Sequence, residues 1–86
     1  MGVQPTSLEA YIQLEYNLGT LQQKVLNCIE QHPNVSDNDI ERITKLRINC
    51  VTGRRNELYN MGLIEYNGEK IDRLTGRRVM KWITAR

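Results

Sequence analysis

Residues 48–66, INCVTGRRNELYNMGLIEY, contain the change of pattern that decides the fold. At about 100° per residue, Val51 and Leu58 fall on one side of a helix and polar residues fall on the other. Gly62 can adopt the left-handed conformation that ends a helix. The β-branched and aromatic residues that follow are typical of a strand. The stretch therefore predicts a helix over 49–61 followed directly by a strand.

Upstream of this stretch, three further helix starts can be recognised. Each is a Ser or Thr followed three positions later by an acid or an amide, at residues 6–9, 20–23 and 36–39. The first opens a predicted helix over 6–18, which Gly19 ends. The second opens a helix that stops at Pro33, and the third opens a short helix before the turn near 45–48.

Downstream, two strands are predicted over 63–66 and 79–84. Between them, Asp72 can cap a turn and Gly76 can adopt a positive φ, as a hairpin tip requires. A turn at Asn67-Gly68 would instead give a three-stranded meander. We favour one long hairpin.

This order of elements predicts an α+β fold of the winged helix-turn-helix type in a single domain over 1–86. It comprises an extra N-terminal helix over 6–18, a three-helix core over 20–61 and a β-hairpin wing over 63–84. A chain of 86 residues has room for one modest core.

Charge is distributed unevenly along the chain. Residues 1–41 carry one basic and six acidic side chains, a net charge of −5, whereas residues 42–86 carry eleven basic and four acidic, a net charge of +7. A strongly positive half attracts polyanions. No apolar run approaches the length of a membrane span and no signal peptide is recognised, so we expect a cytoplasmic protein without a membrane partner.

Residues for catalysis or metal binding are few. Cys28 and Cys50 are 22 residues apart, and His32 is the single histidine, so no zinc spacing is present. We expect both thiols to be buried. No nucleophile and base pair or phosphate loop is recognised, so we expect a protein that is not an enzyme, with no catalytic residues, cofactor or small-molecule substrate.

The polar side of the helix over 49–61 has the chemistry of a recognition helix. Short amide and hydroxyl side chains can hydrogen bond to base edges in the major groove, and Asn can contact adenine through two bonds. We predict base contacts for Asn49, Thr52 and Asn56, and Gly53 would permit close approach to DNA or to a neighbouring helix. A merely solvated polar face is the alternative.

Basic side chains around this helix and along the hairpin suit phosphate contacts. The predicted set is Arg47, Arg55, Lys70, Arg73, Arg77 and Arg78. A charged edge that prevents strand aggregation is the alternative for the hairpin. Arg54 points toward the apolar side, which favours an ion pair with Glu57 or with an acid of the preceding helix. We expect Trp82 in the core or at its rim.

The segments 48–58 and 61–65, together with 72–77, resemble the recognition helix, first strand and wing turn of small winged-helix proteins of phages and prophages. The resemblance covers about 18–83. In such relatives an aliphatic residue often occupies the place of Arg55. The resemblance implies a double-stranded DNA-binding protein of phage-type transcriptional or replication control.

Two points of function stay open at this stage. The helix over 6–18 offers a surface for a homodimer. Because members of this fold also act as protein-interaction modules, the alternative to DNA is an acidic host or phage protein gripped by the basic wing.

Overall fold

The computed structural model describes residues 18–85, which form three helices followed by two strands. In chain order they are α1 (Thr20–Gln31), α2 (Asp37–Thr44), α3 (Ile48–Asn60), β1 (Ile64–Ile71) and β2 (Arg78–Thr84). The predicted helix over 6–18, with its proposed dimer surface, lies almost entirely outside the described residues.

The starts of α1 and α2 use different caps. Gly19 precedes α1, and its N–H donates to the side-chain oxygen of Gln22 at 3.0 Å. At α2, Ser36 and Asp39 satisfy one another's backbone: Asp39 N–H donates to Ser36 Oγ, and Ser36 N–H donates to Asp39 Oδ2, both at 3.1 Å. The predicted start at 36–39 is therefore confirmed, whereas the N-cap of α1 is one residue earlier than the sequence indicated.

Left-handed residues end the second and third helices. Lys45 caps α2 with φ 67°, and Gly62 follows α3 with φ 78°. The turn after Lys45 is short, because α3 starts at Ile48, one residue earlier than predicted. Gly62 occupies the conformation that the sequence assigned to it, since a side chain there would be strained.

The strands form one antiparallel hairpin, in which Ile64 is opposite Thr84 and Tyr66 is opposite Trp82. The favoured hairpin is thus confirmed over the meander. The register shifts between Tyr66 and Glu69, where Gly68 has φ 89°, so the Asn67-Gly68 pair marks an irregularity within β1. β1 consequently continues well past the predicted end at 66.

A short third segment extends the sheet next to β2. Asn34 N–H donates to the Trp82 carbonyl, and Trp82 N–H donates to the Val35 carbonyl, both at 2.9 Å. The chain between α1 and α2 is therefore fixed to the hairpin immediately before α2 begins.

The core lies between the three helices and the base of the hairpin. Its members are buried apolar side chains: Val25, Leu26, Cys28, Ile29, Val35, Ile40, Val51, Leu58, Leu63, Ile64 and Trp82. The expectation for Trp82 is confirmed. Burial raises the pKa of Cys28 to about 11, whereas Cys50 is only half-buried, so the expectation of two buried thiols holds for Cys28 alone. None of the described helices is long and apolar enough to cross a membrane.

Candidate nucleic-acid interface

The polar residues of α3 lie on its outer side. Asn49, Thr52 and Asn56 are all exposed, while Val51 and Leu58 point into the core. Gly53 lies between Thr52 and Asn56 in the sequence, and a Cβ at Gly53 would meet no atom of the described residues within 4 Å. Of the two uses predicted for Gly53, close packing against a neighbouring helix is therefore absent from residues 18–85.

Thr52 is connected to α2. Its hydroxyl donates to Asp37 Oδ2 at 3.0 Å. A hydroxyl retains its acceptor lone pairs when it donates. In this position Thr52 can therefore still accept a hydrogen bond from a base amino group.

Arg55 is placed inside the fold, where only 7% of the residue is exposed. Its Nε and Nη2 donate to the two carboxylate oxygens of Asp37, each at 3.0 Å, and its guanidinium carbon lies 4.2 Å from the Trp82 ring centroid. The predicted phosphate contact does not fit this position, because the guanidinium is buried between a carboxylate and an aromatic face. Arg55 joins α3 to α2 and β2 instead.

Arg54 forms the ion pair that the sequence indicated. Its Nε and Nη2 donate to Glu57 at 2.8 and 2.7 Å, one turn along the same helix. Gln22 of α1 donates to the same carboxylate at 2.9 Å. Helix geometry had placed Arg54 toward the apolar side and Arg55 toward phosphate. The structure has the reverse, because Arg54 is more exposed than Arg55.

The hairpin turn is built around Asp72. The Asp72 N–H donates to the Arg77 carbonyl, and the Thr75 N–H donates to Asp72 Oδ2 at 3.0 Å. Gly76 has φ 73°, which is the positive value predicted for the tip. Arg73 and Arg77 flank this turn and are exposed to solvent.

The predicted phosphate contacts differ in how free their charge is. Within residues 18–85, Arg47, Arg73 and Arg77 are exposed and have no ion pair. Arg78 lies 3.5 Å from Glu69, and both side chains are exposed, so solvent screens this pair strongly. Lys70 is half-buried in an ion pair with Asp39. Four arginines therefore remain available to phosphate.

The N-terminus of α2 brings the outer side of α3 close to the hairpin. Asp37, which accepts from Thr52, also lines a cavity of about 250 Å³ together with Asn38, Arg78 and Met80. Asp37 of α2 therefore lies between the polar side of α3, which it contacts through Thr52, and the arginine at the start of β2.

Comparison with known proteins identifies the fold. No protein-family model and no curated protein matches the chain. Among solved structures, FabT from Streptococcus pneumoniae, in complex with DNA, matches 88% of this chain with a TM-score of 0.66 and 18% identity. Wild-type MarR from E. coli, in its apo form, matches 90% with a TM-score of 0.62 and 16% identity. The fold is a winged helix-turn-helix. The chain spans about half the length of these two neighbours, 52% and 54% respectively.

Four charged residues around α2 were not recognised as functional from the sequence. Asp37, Asp39, Arg42 and Asp72 form ion pairs between elements, and Asp72 had been assigned only to the turn. Arg42 donates to both carboxylate oxygens of Asp72 at 3.0 Å. The sequence signal was weak, because partners 18 to 31 residues apart are not revealed by local spacing.

These pairs lower carboxyl pKa values. The Arg42 hydrogen bonds hold the pKa of Asp72 well below its usual range, and those from Gln22 and Arg54 lower the pKa of Glu57. At Asp39, partial burial raises the pKa, but the hydrogen bonds from Lys70 and from the Ser36 backbone outweigh it and the net shift is downward.

The depressed pKa values give the fold an acid sensitivity. A carboxyl with a lowered folded pKa stabilises the fold above its unfolded pKa of about 4, and that contribution is lost as the pH falls through the folded value. We expect the melting temperature, followed by circular dichroism, to fall as the pH is lowered from about 5 to about 2. Asp72→Asn should melt lower at pH 7 and show a shallower pH dependence. An equally steep pH dependence in both proteins would contradict the role given to Asp72.

Proposed function

We propose that this protein binds double-stranded DNA and acts as a transcription regulator, with α3 in the major groove and the hairpin on the phosphates. One observation carries the proposal. Asn49, Thr52 and Asn56 are exposed on one side of α3, and Asp37, which bonds Thr52, lines a cavity together with Arg78 of the hairpin. Base edges in the major groove require short donors and acceptors of this kind.

The phosphate contacts proposed are the four arginines with available charge, Arg47, Arg73, Arg77 and Arg78. Arg47 immediately precedes α3, where a cation can reach the backbone beside the groove that the helix enters. Arg73 and Arg77 are at the tip of the hairpin, and Arg78 begins β2. Lys70 and Arg55 are left out, because carboxylates already occupy them.

The neighbours support the proposal at the level of fold. FabT was solved in complex with DNA, and most of the present chain superposes on part of it. The likeness to phage and prophage proteins stays a prediction from the sequence. A role in replication rather than transcription likewise remains a prediction of the sequence resemblance alone.

Salt dependence tests the proposal directly. Neutralising about four phosphates should make log affinity fall with log salt at a slope of about −3.6, or roughly 100-fold between 50 and 200 mM salt. The measurement is a mobility-shift titration of labelled random-sequence duplex with the full chain. Absence of any shifted duplex at about 50 mM salt would overturn the proposal.

A second candidate function has a specific observation in its favour. The apolar side chains Ile71 and Leu74 at the end of the hairpin are 58% and 70% exposed, beside Arg73. Such a mixed surface also suits an acidic protein. A stoichiometric protein partner that stays bound after nuclease treatment, combined with no affinity for duplex DNA, would favour this candidate.

A further inference from the structure

We infer that α2 is a positioning helix, whose ion pairs hold the recognition helix α3 and the hairpin tip at a fixed separation. The inference rests on the proposed DNA binding and adds residues that contact no DNA themselves. It assigns the task to Asp37 on one side and to Asp39 and Arg42 on the other.

On the side of α2 that faces α3, the partly buried Asp37 pairs with the buried Arg55. Arg55 follows Thr52 by three positions and immediately precedes Asn56, so it is fixed at the middle of the base-reading segment. Both Asp37 oxygens accept from its guanidinium, and Oδ2 accepts from Thr52 as well. A bidentate pair restricts orientation as well as distance. The rotation of α3 about its axis is therefore set by α2.

On the side of α2 that faces the hairpin, Arg42 pairs with Asp72. Among residues 67–80, Asp72 is the single buried residue, with 1% exposed, so apolar packing contributes little to holding the tip. Arg42 binds both Asp72 oxygens, and Asp39 binds Lys70 two residues earlier in the hairpin. The end of β1 that precedes the wing turn is therefore attached to the body of the protein by charged contacts with α2.

Both attachments are on one short rigid element. Asp37 and Arg42 are five residues apart in α2, a rise of about 7.5 Å. The separation of Asn56 from Arg73 and Arg77 therefore depends on these pairs. On DNA, that separation determines which phosphates the hairpin contacts when α3 is in the groove.

A matched pair of variants tests the inference. Arg42 and Arg54 have nearly equal side-chain exposure, 33% and 32%, but Arg54 pairs within its own helix whereas Arg42 joins two elements. On a duplex selected from a random pool by the wild-type protein, Arg42→Met should weaken binding about tenfold, and Arg54→Met by less than about twofold. Equal effects of the two variants would overturn the inference.

The double variant Arg42→Met/Asp72→Asn addresses folding. It removes the Arg42–Asp72 pair without leaving a buried unpaired charge, so it should fold even where Arg42→Met alone does not. It should bind the selected duplex as weakly as the single variant. Wild-type affinity in the folded double variant would overturn the inference.

A measurement without DNA separates the failure of this inference from that of the proposed function. Spin labels on Asn60→Cys and Leu74→Cys, in a Cys50→Ser background, report the separation of α3 from the hairpin tip; Cys28 is buried. The distance distribution should broaden with Arg42→Met and with the double variant but not with Arg54→Met. An unchanged distribution would refute positioning by α2, whereas a broadened one with no duplex binding by the wild type would refute only the DNA-binding proposal.

Discussion

Arg55→Ala should lower the free energy of unfolding by about 3 kcal/mol, because it leaves Asp37 as a carboxylate without its cation in a largely enclosed position. Among residues 18–85, Asp37 then keeps only the hydrogen bond from the Thr52 hydroxyl, and the Trp82 ring loses the guanidinium that lies 4.2 Å from its centroid. Breaking one side of such a pair costs more than removing both charges. Urea denaturation followed by tryptophan fluorescence would measure the loss.

Two further variants separate the possible causes. Arg54→Ala removes the neighbouring arginine, which pairs with Glu57 on the surface, and should change the stability much less. The double variant Asp37→Asn/Arg55→Leu removes both charges while keeping an apolar side chain against Trp82, so it should recover a large part of the loss. If Arg55→Ala were no more destabilising than Arg54→Ala, the structural role of Arg55 would be wrong.

Asn56→Ala and Arg77→Ala should weaken DNA binding in different ways. Losing a paired amide contact to a base costs about 1 to 3 kcal/mol, so Asn56→Ala should reduce affinity for the preferred duplex about 5- to 150-fold while leaving random duplexes almost unaffected. Arg77→Ala should weaken all duplexes alike and reduce the magnitude of the salt slope by about 0.9.

Lys24→Ala is the control for charge. It removes the same charge as Arg77→Ala from an exposed position on α1, outside the proposed interface. We expect it to reduce affinity by less than about twofold. A uniform loss across all duplexes for Asn56→Ala, or an effect of Lys24→Ala equal to that of Arg77→Ala, would contradict the assigned contacts.

The fold could be predicted because its signals are local. The capping pair of Ser36 and Asp39, the positive φ of Gly62 and the turn at Asp72 are each determined by a few adjacent residues. The structure places all three as the sequence indicated. The longer β1 was missed, because its outer half is mostly polar and exposed and lacks the apolar alternation that signals a strand.

The site could be predicted only in part, because charge partners are set by tertiary structure. Position along α3 did place Asn49, Thr52 and Asn56 on the outer side. The same geometry gave the wrong direction for Arg55, because the bidentate pair with Asp37 and the face of Trp82 let a cation occupy a buried position. The resemblance, in which an aliphatic residue often stands at the place of Arg55, gave no sign of the Asp37 carboxylate that makes the burial of a cation possible.

The central claim is that the outer side of α3 and the tip of the hairpin form one DNA-binding surface. Titration of isotope-labelled protein with duplex DNA at about 50 mM salt, followed by nuclear magnetic resonance, tests it most directly. We expect the largest shifts at Asn49, Thr52 and Asn56 together with Arg73 and Arg77, and little change at Lys24 on α1. No shifts with duplex, or shifts confined to α1, would contradict the account.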